Sequence, residues 1–215
     1  MKHSRAFRDN NNHSVTYAEV LDFRENFQAA FPGENHVSYY FDGEKIDTIL
    51  DQKGVVGIRY YYAIDNVMQH RLVVSGVDLQ GKDLVETIPP AVSGVAIPKD
   101  SDENCNFGKI NHHIQPAEAA QWTSNYRSQK AKNQPKGGFF SKNAVKNVIH
   151  QKDAAGLVWL PGADQRGIRV MCIGGIDKKG EILTFGNWIE LAMPCPPWCD
   201  VVNYLNSDVF KTTLS

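Results

Sequence analysis

The chain has 215 residues, 42% of them apolar and 22% charged, and a formal net charge of −1. That balance can bury a core, and it excludes a disordered chain and a uniformly basic or acidic polymer-binding surface. The N-terminal residues 1–13 are polar, with Asn10, Asn11 and Asn12 in a row, and no window is apolar enough to serve as a secretory signal or to span a bilayer. The expectation is a disordered tail at 1–13 on a cytoplasmic protein with no membrane partner.

A helix begins after Thr16. Thr16 and Glu19 have the spacing of a capping box, and Val20, Leu21, Phe23, Phe27 and Ala30 form a broad apolar face. A second helix follows Asp42, a good N-cap, and carries Ile46, Ile49 and Leu50 on one stripe before Gly54. Alternation of Val56, Ile58, Tyr60 and Tyr62 predicts a strand over 55–64 with one buried face. A second strand covers 72–78. The turn Asp78 to Gly81, an aspartate that can bond its own backbone and a glycine that supplies positive φ, leads to a third strand near 83–88. A connector is expected at 99–112, in a stretch rich in Pro, Asp, Ser and Asn.

The same order then returns at a constant offset of 99 positions. Ala18-Glu19 recurs as Ala117-Glu118, Phe41 as Phe140, Gln52-Lys53 as Gln151-Lys152, and Gly76, Asp78 and Gly81 as Gly175, Asp177 and Gly180. Pro116 opens the helix, Ser141 caps the next, and Val145, Val148 and Ile149 match the first stripe. Ala155, Leu157 and Trp159 open the strands, the last of which runs near 181–191, and residues 201–215 read as a C-terminal tail. The fold class is therefore α+β: two tandem repeats, 14–98 and 113–200, each a helix, a helix and a three-stranded antiparallel meander. A three-stranded sheet is marginal alone, so the repeats are expected to pack as a pseudo-dimer in a monomer or weak dimer. Residues 14–88 hold 6 Lys and Arg against 12 Asp and Glu, whereas residues 113–187 hold 11 against 5. Opposite charge suits docking of one repeat on the other. The lysines of the second repeat raise a nucleic-acid reading, which is disfavoured because Phe140 among them matches Phe41 of the acidic repeat and reads as core.

The sharpest local motif is Cys195-Pro196-Pro197-Trp198-Cys199. Prolines hold its two thiols on a rigid extended turn. A local disulfide, half of a zinc site completed by Cys105 and His112, and inert thiols all remain open. The equivalents of the two cysteines are Ala96 and Asp100, so the module does not need the pair to fold. Cys172 falls mid-strand opposite Val73 and reads as a buried thiol. The acids Asp65/Asp164 and Asp78/Asp177 read as turn residues. Phosphate-loop, dinucleotide, zinc-protease and serine-hydrolase motifs are absent from the sequence.

The second repeat resembles a bacterial protein family of the Bacteroidetes type. The resemblance rests on Ala117 to Arg127, Phe139-Phe140-Ser141-Lys142, Gly156-Leu157, Gly175-Ile176-Asp177 with Gly180, and the closing cysteine motif, and it implies no catalytic residue. The reading that follows is a non-enzymatic protein- or ligand-binding module without a cofactor. Tyr61, Trp159 and Trp198 are its candidate binding aromatics, the first two in the cleft between repeats. The alternative is a thiol redox or zinc-binding protein using Cys195 and Cys199.

Overall fold

The computed structural model describes residues 7–34, 38–85, 90–94, 110–129, 134–190, 192–200 and 202–208. Helix α1 (Tyr17–Ala30) starts at the expected capping box: Thr16 Oγ1 accepts from Glu19 N–H at 3.2 Å, and Glu19 Oε2 accepts from Thr16 N–H at 2.7 Å. Its buried positions are Val20 and Phe27, while Leu21 is half exposed. Strand β2 (Tyr39–Asp42) runs directly into α2 (Gly43–Leu50), and the long hairpin β3 (Val55–Ile64) and β4 (His70–Asp78) follows. After β5 (Ala91–Val92) comes α3 (Pro116–Gln129), then β6 (Gly137–Ser141), which runs into α4 (Lys142–Ile149). A second long hairpin, β7 (Gly156–Ala163) and β8 (Arg169–Ile176), precedes β9 (Trp188–Ile189) and β10 (Met193–Cys195), and β1 is Ser14–Val15.

The strands form two antiparallel sheets, ordered β1-β9-β8-β7-β2 and β10-β6-β3-β4-β5. Each sheet takes two strands from the far half of the chain, β1 and β2 in one and β6 and β10 in the other. Strand β2 pairs with β7, with Phe41 opposite Leu157 and Asp42 opposite Gly156, and β6 pairs with β3, with Phe140 opposite Ile58 and Ser141 opposite Gly57. The second pairing is the first one shifted by 99 in both strands. Two short strands, with no counterpart among the elements expected from sequence, thus lead into the second helices. The expected third strands are reduced, among the described residues, to single bridges at Val77–Asp83 and Ile176–Ile182 and to the short β9.

All ten residues of β3 and all eight of β7 are buried, so two faces are covered, not one. Alternation sorts them. Ile58, Tyr60 and Tyr62 meet Leu157, Trp159, Met171 and Ile173 in one central cluster, which the stripes of α2 and α4 complete. The opposite faces are covered by α1 against Val158 and Leu160, and by α3 against Tyr61 and Ala63. Side chains of α2 and α4 also pair by charge: Lys146 Nζ lies 2.5 Å from Asp51 and 3.6 Å from Asp47, and His150 Nε2 lies 2.6 Å from Asp47.

The turn aspartates act as the sequence suggests. Asp65 Oδ1 accepts from Val67 and Gln69 N–H, Asp164 Oδ1 from Arg166 and Ile168 N–H, and Asp78 and Asp177 do the same in their own turns. The segments expected to be tails carry packed residues. Phe7 and Leu205 are fully buried, and Asn11 C=O accepts from Ser141 Oγ at 2.9 Å. Among the described residues no helix is long and apolar enough to cross a membrane.

Candidate functional site

Three side-chain assemblies have the burial and polarity to carry function. The first surrounds the cysteine motif. Cys195 and Cys199 form a disulfide; Cys195 is fully buried and Cys199 partly so. Cys195 C=O accepts from Lys136 N–H at 2.6 Å, and Trp198 stands edge-on to Phe7 with ring centroids 6.2 Å apart. The chain then enters a buried polar network. Arg59 and Asp83, both without solvent exposure in their side chains, form an ion pair, and the Tyr61 hydroxyl donates to the same carboxylate. Asn203 Nδ2 donates to Asp83 at 2.7 Å and to Asp200 at 2.9 Å, and Asp200 accepts from Asp83 N–H at 2.9 Å. Burial, then the nearby Asp83 carboxylate, raises the Asp200 pKa above its ordinary value of 3.8. Its buried centre is Arg59, Tyr61 and Asp83, and Asp200 and Asn203 tie the C-terminal segment to it.

The second assembly pairs two histidines with helix starts. His112 Nε2 accepts from Asp42 N–H at 3.1 Å, which leaves Nδ1 to donate to Val92 C=O at 2.8 Å. His13 Nε2 accepts from Ser141 N–H at 3.1 Å. His13 and His112 are 99 positions apart, as are Asp42 and Ser141. Each histidine therefore caps the helix of the other half, and neither Asp42 nor Ser141 caps with its own side chain. The Asp42 carboxylate instead accepts from the Tyr40 hydroxyl. Adjacency of His112 and His113 carried no hint of this, but the recurrence of histidine at the repeat offset does.

The third is a cavity of about 360 Å³ between the tips of the two long hairpins. Tyr62 and Pro161, equivalent at the 99 offset, both line it, and so do the equivalent pair His70 and Arg169. Phe27 and Tyr39 complete an aromatic wall. Arg169 is held hard: its guanidinium lies 3.8 Å from the Phe31 ring centre and 5.3 Å from that of Phe27, and it ion-pairs with Glu34. Tyr62 stacks on Tyr126 with centroids 5.1 Å apart. Burial pushes the phenol pKa of Tyr39 well up, followed by Tyr126, so Tyr39 stays a protonated donor. At the mouth, Met68 sits at φ 65° where the equivalent Gly167 has φ 74°. A methionine in the left-handed region is strained, and Val67 and Met68 are 73% and 63% exposed.

The residues singled out from sequence are dispersed. Tyr61 lies under α3, bound to Asp83, and Trp159 is at the centre of the core, so neither lines the cavity. Trp198 packs on Phe7 beside the disulfide. Both ring nitrogens of His112 are engaged, and Cys105 lies outside the described residues. Among the described residues no three His, Cys, Asp or Glu side chains cluster as metal ligands. Cys172 is a buried free thiol with a raised pKa, from burial first and then Glu190. Comparison with protein-family models, with curated proteins and with solved structures finds no match to this chain.

Proposed function

We propose that this chain is a non-enzymatic binding module, an internal duplication whose halves stand in for the two subunits of a homodimer, with its ligand in the cavity between the hairpin tips. The observation that carries the reading is the lining of that cavity. It is concave, walled by Phe27, Tyr39 and Tyr62, and its polar side chains converge from both halves, which is the usual make-up of a ligand site. A strained, exposed Met68 at its mouth adds support, since strain of this kind collects at binding sites. The duplication is supported by the matched strand pairings, by the reciprocal histidine caps and by the ion pairs between acidic α2 and basic α4. A small fragment library screened by amide-resolved NMR tests the site. Shift changes should cluster at Tyr39, Tyr62, Met68 and Arg169. A cluster elsewhere, or none, contradicts the reading.

The partly buried Cys199 favours a second reading, thiol redox chemistry or, after reduction, zinc binding at Cys195 and Cys199. Against it, Cys195 is buried among apolar side chains, where a thiolate is a poor leaving group. Free-thiol titration after equilibration in a glutathione buffer separates the two. A disulfide that stays closed in excess glutathione leaves the cavity reading alone.

A further inference from the structure

We propose that the cavity takes an uncharged planar ring compound bearing a hydrogen-bond acceptor, such as an amide carbonyl or a ring nitrogen. This rests on the binding reading above and adds the ligand class to it. Charge comes first. The lining holds one guanidinium, Arg169, and one carboxylate, Glu34, which are spent on each other, and the imidazole of His70, which is itself engaged within the protein. The Arg169 side chain is only 5% exposed and is sandwiched against Phe31, so it is not available to an anion. An ionic ligand would lose its hydration and meet only charged groups already committed to other partners. Shape comes next. Phe27, Tyr39 and Tyr62 present ring surfaces, and Met68 can lay a polarisable thioether beside a bound ring.

The hydrogen-bonding demand comes from Tyr39. The residue is 3% exposed and lines the cavity, and its hydroxyl makes no hydrogen bond among the described residues. A phenol kept protonated at neutral pH can donate into the cavity that it lines. A ligand acceptor matches that donor. Met68, which lines the cavity and is largely exposed, then offers an apolar edge to the ring.

The test is a charge series of near-isosteres, benzamide, benzoate and benzylamine, titrated into the full chain at neutral pH and followed at the Tyr39, Tyr62 and Met68 resonances. Benzamide should bind at least tenfold more tightly than either ion. Tyr39→Phe keeps the ring and deletes only the unbonded hydroxyl, so it should fold and weaken benzamide by roughly tenfold, the worth of one hydrogen bond. Met68→Gly, at an exposed position whose backbone suits glycine, should weaken it too. Binding of benzoate or benzylamine as tight as that of benzamide overturns the uncharged class while leaving the cavity as the site. An unchanged affinity in Tyr39→Phe overturns the acceptor requirement. Failure of all three probes while other fragments still perturb the cavity overturns the ligand class alone. If no fragment perturbs it either, the binding reading falls with it.

Discussion

Arg59, Tyr61 and Asp83 form a buried charged network, whereas the positions 99 later hold Val158, Leu160 and Ile182, which pack as apolar residues against α1 and its neighbours. Removing one partner of a buried ion pair leaves an uncompensated charge, so Arg59→Val should cost about 3–5 kcal/mol in chemical denaturation. The triple change Arg59→Val, Tyr61→Leu and Asp83→Ile should return most of that loss, because a well-packed apolar set replaces the pair without stranding a charge. A triple variant no more stable than the single one contradicts this. Asp200 adds a pH dependence. The folded chain holds its proton more tightly than the unfolded chain does, so its contribution is complete below the unfolded value of 3.8 and is lost as pH rises through the raised folded value. Asp200→Asn should flatten the stability-against-pH curve in that window, measured by urea melts at stepped pH. An unchanged slope points to another group.

At the scale of elements, helices α2 and α4 are joined across the halves by Lys146, Asp47, Asp51 and His150. The Asp51 side chain is 60% exposed, so the link is screened. Lys146→Ala should cost under about 1 kcal/mol, and the loss should shrink as salt is added; a loss that ignores salt would mean that the lysine stem packs instead. Much at this scale was legible in the sequence because it is local. The capping box at Thr16, the stripes of α2 and α4 and the four turn aspartates each depend on residues within a few positions. Strands β2 and β6 were not legible. Tyr39–Asp42 and Gly137–Ser141 are short, flow straight into helices without a turn signal, and find their partners in the other half. Of the expected third strands, Asp83 and Ile182 each make one bridge among the described residues. The burial of Phe7 and Leu205 follows from apolar faces of the fold that local sequence does not display.

The whole molecule is two halves that complete each other's sheets, and the cavity exists only where their hairpins meet. A 99-residue offset in sequence does not reveal the exchange of strands, since segments packed side by side would have the same periodicity. The cavity was illegible for the same reason: Tyr39, Tyr62, Glu34 and Arg169 are scattered in sequence and share no motif. Tyr61 and Trp159 were the more visible aromatics, yet strand alternation turns one under α3 and the other into the core. The interlocked arrangement makes a direct demand on folding. A half on its own lacks two sheet strands and a histidine cap, and three or fewer strands with an open edge are marginal. The decisive measurement is to produce residues 1–98 and 99–215 as separate chains and follow folding by NMR and sedimentation. Neither chain should fold as a monomer, and mixing them should yield a one-to-one complex with the dispersed spectrum of the intact protein. A well-folded monomer from either half alone would contradict the account.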